Sequence, residues 1–281
     1  MTQRKPSQNR PRRAARARAG ARRRPAGHGD SALWLFGTHA VLAALANPRR
    51  RLRRVLATNE AIRRHGQRID TILAARPEGA AAEPRIEIAE RAAIATLLPE
   101  GAVHQGLAAW VEPLTQGDAA AILALSGQST PRPVILMLDR ITDPHNVGAI
   151  LRSASAFGAA AVLGPKDHAP AESGALAKAA SGALEHVPYI RVTNLARTLA
   201  AAKAAGWWCL GLAEGGAQDL AHADPGGPVA LVLGAEGTGL RRLSADACDA
   251  LARLPTRGPI GTLNVSNAAA VALYALMNRI A

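Results

Sequence analysis

The chain has 281 residues, of which 48% are hydrophobic, so it is long enough for two ordinary domains that each bury a core. No apolar run reaches the roughly 18 residues that a membrane-spanning helix needs, and we therefore expect no membrane partner. The two cysteines, Cys209 and Cys248, have neither metal-ligand nor redox spacing, so we expect small buried thiols and a cytoplasmic location.

The net charge of +13 is concentrated at the N-terminus, where residues 1–30 hold ten Lys and Arg against one acid, Asp30. Because this tail lacks aromatic and branched apolar side chains, we expect it to be disordered. Its charge favours sequence-independent contact with nucleic-acid phosphates, and RNA is the partner that the rest of the chain favours. A solubilising tail and an Arg-rich transit peptide are the alternatives.

Residues 33–112 predict a small α/β unit. Its elements in chain order are an apolar run Leu33–Phe36, a helix Ala40–Ala46, a strand Arg54–Ala57, a helix Glu60–Ala75, a strand Ile86–Ile88, a helix Glu90–Leu98 and a closing apolar run Leu107–Val111. Residues 113–132 contain several Pro and Gly around one short Ala/Leu helix, which predicts a linker.

From residue 133 onward, apolar runs of strand length alternate with helical stretches. The runs are Val134–Leu138, Ala160–Leu163, Val187–Val192, Trp207–Leu212, Val229–Leu233 and Leu251–Leu254. This alternation predicts an α/β fold whose parallel sheet is covered by helices on both faces. Ligands of such sheets bind beyond the carboxyl ends of the strands.

Three unusual segments follow strands of this predicted sheet, and the first leads into a helix that runs to about Phe157. Asn146 is expected near the N-terminus of that helix, where free N–H groups attract anions. Arg152 follows six residues later, and a guanidinium suits bidentate capture of a phosphate. Taken alone, a helix cap and a surface arginine are the favoured explanation of these two residues.

The second segment is the glycine-rich stretch Leu233–Leu240, where glycines let the backbone approach a ligand closely. It matches neither the dinucleotide fingerprint nor a Walker A loop. Glu236 lies within it, where a simple flexible turn with a solvated acid is the alternative.

The third segment, Thr262–Asn267, precedes a predicted helix Ala268–Ile280 that Ser266 or Asn267 is expected to cap. Capping alone explains Ser266 well and Asn264 poorly. His145 is a candidate acid/base residue because it is a histidine, but the sequence contains no nucleophile elbow and no clustered metal ligands, so we expect no metal.

In their order and amino-acid sequence, the three segments resemble the motifs of the SpoU/TrmH branch of the SPOUT methyltransferases. The resemblance covers residues 33–281. These enzymes transfer a methyl group from S-adenosylmethionine to ribose 2′-hydroxyls of RNA. The stretches at residues 101–106 and 187–197 resemble the subgroup that methylates a guanosine of bacterial 23S rRNA.

The resemblance implies a SPOUT catalytic domain at residues 133–281 with a deep trefoil knot, preceded by an L7Ae/L30e-like RNA-binding domain at residues 33–112. It also implies a homodimer formed through the knotted domain. The implied cofactor-binding residues are Leu233, Gly234, Ala235, Leu254, Pro255 and Leu263, and the implied catalytic residues are Asn146, Arg152, Glu236, Asn264 and Ser266.

Two positions depart from the family's pattern. Thr262 stands where Ser is common and keeps a hydroxyl, while Asn267 stands where Val is common. Because a guanidinium normally stays protonated, we expect Arg152 to grip the target phosphate rather than to act as a base. A tRNA ribose methyltransferase, a non-catalytic rRNA assembly factor and a Rossmann dehydrogenase are the alternatives, the last disfavoured by the missing glycine fingerprint.

Overall fold

Two β-sheets organise the chain in this computed structural model, which describes residues 32–77, 85–127 and 132–278. The predicted basic tail, part of the predicted linker and the end of the last predicted helix lie outside the described residues.

The first sheet has four strands in the order β1-β4-β2-β3, in which only β2 and β3 pair in parallel. Its strands are β1 (Leu33–Phe36), β2 (Leu52–Ala57), β3 (Ile86–Ile88) and β4 (Leu107–Val111), and its helices are α1 (Thr38–Ala46), α2 (Asn59–Ala74) and α3 (Arg91–Ala95). The predicted α/β unit is therefore present with every element in the expected order.

Helix α3 is shorter than the predicted helix Glu90–Leu98. After Ala95 the backbone tightens, because the N–H groups of Leu97 and Leu98 donate to carbonyls only three residues earlier. Pro99 then follows, a residue that has no N–H with which to continue a helix.

The second sheet has seven strands, all parallel, in the order β7-β6-β5-β10-β8-β11-β9. Its strands are β5 (Val134–Asp139), β6 (Ala161–Pro165), β7 (Tyr189–Val192), β8 (Trp208–Leu212), β9 (Gln218–Asp219), β10 (Val229–Gly234) and β11 (Ala250–Arg253). The six predicted strands are confirmed with ends within two residues, and the parallel arrangement is confirmed as well. Strand β9 was not predicted, because two polar residues carry no apolar signal.

Helices cover both faces of this second sheet. The helices of residues 113–278 are α4 (Ala119–Leu123), α5 (Pro144–Phe157), α6 (Gly174–Ala180), α7 (Leu195–Ala204), α8 (Leu220–Ala223), α9 (Arg242–Asp246) and α10 (Val265–Met277). Residues of α5, α6 and α10 share one core with Leu136 and Leu138 of β5. Residues of α4 and α7 share the opposite core with Ile135 and Met137, as strand alternation requires.

The two sheets belong to one compact unit that spans residues 31–281, in which α6 packs against β1. A Cβ atom on Gly174 of α6 would lie 2.4 Å from the carbonyl oxygen of Trp34 in β1. Only a glycine permits so close an approach of helix and strand. Within residues 32–77, 85–127 and 132–278, none of the helices is long and apolar enough to cross a membrane.

Candidate active site

A cleft of about 780 Å³ lies at the carboxyl edge of the second sheet, where β8, β10 and β11 end. Its walls come from the segments that follow these strands, residues 212–214, 233–239, 253–256 and 261–265. All six predicted cofactor-binding residues line this cleft: Leu233, Gly234, Ala235, Leu254, Pro255 and Leu263. A cleft of this size falls within the usual range of small-molecule sites.

The loop after β10 folds back on itself at Gly234. A Cβ atom there would lie 2.2 Å from the carbonyl carbon of Gly239 and 2.3 Å from the backbone nitrogen of Leu240. The N–H of Gly239 donates to the carbonyl oxygen of Ala235 at 2.8 Å, and Gly239 adopts a φ of 63°. The glycines therefore give this wall of the cleft its shape, because only glycine permits so close an approach within the loop.

A buried acid holds the far end of the same loop. Asp139, the last residue of β5, is 0% exposed and accepts hydrogen bonds from the backbone N–H of Arg241 at 2.9 Å and from its Nε at 2.7 Å. Sequence reasoning missed this pair. The available signal was an acid that directly follows five apolar residues of a buried strand, since a buried carboxylate needs a charged partner.

Three side chains from separate segments meet beside the cleft. The amide nitrogen of Asn146, in the first turn of α5, donates to Oε1 of Glu236 at 3.0 Å. The amide nitrogen of Asn264 donates to the same Oε1 and, at 3.0 Å, to Oδ1 of Asn146. The other oxygen of Glu236 forms no hydrogen bond within the part of the chain that the structure describes.

Asn264 is the N-cap of α10, which corrects the prediction that Ser266 or Asn267 caps a helix starting at Ala268. Its Oδ1 accepts from the backbone N–H groups of Ser266 at 2.9 Å and Asn267 at 3.4 Å, so the helix begins at Val265. The hydroxyl of Ser266 also donates to this oxygen. One amide thus caps a helix with its oxygen and joins the polar cluster with its nitrogen.

Four of the five predicted catalytic residues lie in this cluster, and Arg152 does not. Arg152 is exposed on α5, nearly two turns after Asn146, and forms no hydrogen bond or ion pair with residues in the described ranges. Its guanidinium is therefore available to a ligand. The side chain of His145 is exposed as well and forms no hydrogen bond with the described residues, while its backbone N–H donates to Oδ1 of the N-cap Asp143 at 2.9 Å.

Comparison with known proteins places this chain in a family. The family model described as "SpoU rRNA Methylase family" matches residues 133–274, which is half of the chain. The chain belongs to the SpoU rRNA methylase family. A second model, described as "RNA 2'-O ribose methyltransferase substrate binding", matches residues 34–117.

Curated relatives and solved structures agree with this membership. The chain is 43% identical over 240 residues to the 23S rRNA (guanosine-2'-O-)-methyltransferase RlmB of Ralstonia nicotianae, covering 85% of the chain and 93% of that protein. It is 40% identical over 243 residues to the RlmB of Photobacterium profundum, covering 85% and 95%. The SpoU methyltransferase AviRb from Streptomyces viridochromogenes, solved with AdoMet, has the same fold, with a TM-score of 0.69 at 22% identity over 89% of the chain and 90% of that protein.

In this member of the SpoU family the cleft carries more acid than base. Glu214, Asp219 and Glu236 line it together with a single cation, Arg253. Arg253 pairs with Asp219 at 2.9 Å, so two carboxylates stay without a basic partner inside the cleft. The cleft therefore combines apolar walls with an excess of negative charge, which suits a ligand that carries positive charge.

The cysteines of this SpoU member do not line the cleft and are unsuited to chemistry. Burial and the nearby carboxylate of Asp249 raise the pKa of both Cys209 and Cys248 to about 12. Protonated thiols are poor nucleophiles and poor metal ligands. The prediction of inert, buried thiols is confirmed for Cys209, which is 0% exposed, while Cys248 is partly exposed.

Proposed function

We propose that the chain transfers a methyl group from S-adenosylmethionine to the ribose 2′-hydroxyl of a guanosine in 23S rRNA. The observation that carries this proposal is the cluster of Asn146, Glu236 and Asn264 at the rim of the cleft, in a chain of this family. The curated relatives named for this reaction match 85% of the chain.

The chemistry of the cleft fits S-adenosylmethionine. Its methionine and sulfonium parts bring net positive charge to a cleft that holds Glu214 and Glu236 without basic partners. The adenine ring is flat and apolar on its faces, and Leu233, Leu254 and Leu263 offer apolar contact. Exposed backbone groups of the loop after β10 supply the hydrogen-bonding partners that a purine edge needs.

When bound, this cofactor supplies an electrophilic methyl group, and the residues of the chain position the ribose hydroxyl that receives it. One oxygen of Glu236 is held by the two asparagine amides, so the other oxygen is aimed and free to accept a hydrogen bond from a ribose hydroxyl. Two fixed amides cost no reorganisation when the hydroxyl arrives. We infer that Glu236 and Asn264 orient the nucleotide, with Asn146 and Ser266 fixing their geometry.

Arg152 supplies the contact with the RNA backbone in this proposal. Its guanidinium is exposed and unpaired within the described residues, and its fork geometry matches two oxygens of one phosphate. A phosphate oxygen or a water beside this phosphate accepts the hydroxyl proton, since a guanidinium does not lose its own. If Arg152→Lys kept near-normal turnover, bidentate grip of the phosphate would be refuted.

We further propose the finer architecture that the resemblance implies. The catalytic domain is residues 133–281, with a trefoil knot formed by the segments after β10 and β11. Residues 33–112 are an L7Ae/L30e-like RNA-binding domain, and residues 113–132 link the two domains.

A homodimer through the knotted domain is supported by the exposed apolar side chains of Val271 and Tyr274 on α10, which are 47% and 61% exposed. An rRNA substrate supports a cytoplasmic location.

The decisive experiment is methyl transfer from labelled S-adenosylmethionine into 23S rRNA, with the modified ribose mapped by its resistance to alkaline cleavage. We expect a single 2′-O-methylguanosine that disappears in Glu236→Ala and Arg152→Ala. Arg197→Ala is the matched control, because Arg197 is an exposed arginine on α7, which covers the opposite face of the sheet. Transfer into tRNA but not into 23S rRNA would identify tRNA as the substrate. Cofactor binding without transfer to rRNA, tRNA or precursor particles would indicate a binding protein without catalytic activity.

A further inference from the structure

A buried ion cluster joins the first sheet to the second at the segment that leaves α1. Arg50, which lies between α1 and β2, is 0% exposed. Its Nη2 donates to Oε1 of Glu185 at 2.6 Å and its Nε to the two oxygens of Glu185 at 3.1 and 3.2 Å. Its Nη1 donates to Glu172 and, at 2.9 Å, to the carbonyl oxygen of Glu112.

Both carboxylates belong to the catalytic half of the chain. Glu172 lies just before α6, and Glu185 lies five residues after the end of this helix. Each has a further partner from the first half, because the amide of Asn47 donates to Glu185 at 2.8 Å and the N–H of Leu114 donates to Glu172 at 3.0 Å. The guanidinium of Arg50 therefore fixes both ends of α6 to residues 33–112, which contain the first sheet.

Close packing supplements the ion cluster along the same helix. A Cβ atom on Gly182 would lie 2.8 Å from Cβ of Ala43 in α1. The Nζ of Lys178 in α6 donates to the carbonyl oxygen of Val103, in the loop before β4. The helix is thus docked onto α1, β1 and this loop at once.

The other side of α6 contacts the helix that carries the proposed reaction groups. A Cβ atom on Gly148 of α5 would lie 2.5 Å from Cβ of Ala179 and 2.7 Å from the carbonyl oxygen of Leu176. Gly148 lies two residues after Asn146 and four before Arg152. Helix α6 is therefore a spacer between the first sheet and α5, the helix that carries Asn146 and Arg152.

We propose that Arg50, Glu172 and Glu185 are positioning residues that set the distance between bound RNA and the reaction centre. This inference rests on the proposed function, with the first sheet as the RNA-binding part. Reaction rates fall steeply with small misplacements of reacting groups, so a spacer that shifts slightly loses turnover before it loses binding. None of the three residues lines the cleft, so their effect on the reaction passes through α6 and α5.

The test uses the full chain with Arg50→Lys, which keeps the charge and loses the fork, and Glu172→Gln, which removes one charge from the less buried acid. Three quantities are measured: the dissociation constant for S-adenosylmethionine, that for a 23S rRNA fragment, and the single-turnover methylation rate with both saturating. We expect the rate to fall at least about tenfold, while both dissociation constants stay within about twofold. Arg132→Lys is the matched control, because the guanidinium of Arg132 pairs with Asp224, between α8 and β10, at 2.9 Å and with no residue of or beside α6.

Two results would overturn the positioning role. Unchanged rates in the folded variants would show that the spacing does not depend on the cluster. Loss of cofactor affinity in parallel with rate, or loss of folding in both variants, would show that the cluster supports the fold rather than the spacing. An unaltered chain that transfers no methyl group to rRNA would instead refute the proposed function itself, so the two failures are distinguishable.

Discussion

Asn146 and Asn264 lie 118 residues apart in the chain, and the amide nitrogen of Asn264 donates to the amide oxygen of Asn146 at 3.0 Å. Both amides also donate to one oxygen of Glu236. The three residues follow β5, β10 and β11 in turn, so the bond between the asparagines ties together the carboxyl ends of three strands. A site assembled in this way forms only when these three strands, with β8 between β10 and β11, are in place.

Substitution of Asn264 separates its capping role from its role in the cluster. Asn264→Asp keeps the oxygen that caps α10 but puts a second carboxylate against Glu236, so we expect turnover to fall by at least about 100-fold. Asn264→Ala loses the cap too and should unfold more easily by about 1 kcal/mol. Turnover with saturating substrates and urea denaturation measure the two effects. An Asp variant with normal turnover would mean that the donor amide of Asn264 is unimportant.

Local patterns predicted most of the fold and little of its long-range pairing. The strands of the second sheet were recognisable because runs such as Val134–Leu138 are continuously apolar and too short for helices. The start of α10 was misplaced because Asn264 and Ser266 are both good N-cap residues, and the partners that select Asn264 come from distant segments. The bond between Arg50 and Glu185 joins residues 135 positions apart and leaves no trace in either local pattern.

Gly148 and Gly66 both lie inside helices, and adding a methyl group should affect them in opposite directions. At Gly148 the new Cβ would meet backbone and Cβ atoms of α6 between 2.5 and 2.9 Å, so we expect Gly148→Ala to destabilise the chain by about 1–3 kcal/mol. At Gly66 in α2 the nearest atom is a side-chain methyl of Ile62 at 3.6 Å. Gly66→Ala should therefore stabilise the chain by about 0.5–1 kcal/mol. Chemical denaturation of both variants measures the difference, and equal effects would contradict the close packing of α5 on α6.

The pair of Asp139 and Arg241 predicts a link between loop position and cofactor affinity. In Asp139→Asn the buried group no longer carries the charge that Arg241 binds, so we expect a stability loss of about 1–3 kcal/mol. Because the loop they anchor lines the cleft, the dissociation constant for S-adenosylmethionine should rise about tenfold or more. Calorimetric titration measures it, with the exposed Asp246→Asn on α9 as control. Unchanged affinity in the folded Asp139 variant would show that the loop keeps its shape without this anchor.

The two thiols should be almost unreactive while the chain is folded. With a pKa of about 12, each holds far less thiolate at pH 8 than an exposed cysteine, whose pKa is about 8.5. We expect alkylation at pH 8 to be at least about 100-fold slower in buffer than in urea. The thiols of the unfolded chain ionise at a lower pH than those of the folded chain, so the free energy of unfolding should fall as the pH rises from about 8.5 towards 12. The double variant Cys209→Ala/Cys248→Ala should lose this part of the pH dependence, and a double variant with the same pH dependence would assign it to other groups.

The basic tail predicts a strong dependence of RNA affinity on salt. Residues 1–30 hold ten of the 34 Lys and Arg residues of the chain. Each phosphate that the tail neutralises steepens the slope of log affinity against log salt concentration by about 0.7–0.9. We expect deletion of residues 1–30 to flatten this slope by several such steps, and a tail of equal length with its Lys and Arg replaced by Gln to behave like the deletion. Filter binding of an rRNA fragment between low and physiological salt measures the slopes. Equal slopes for the deletion and the full chain would leave the tail without a role in binding phosphate.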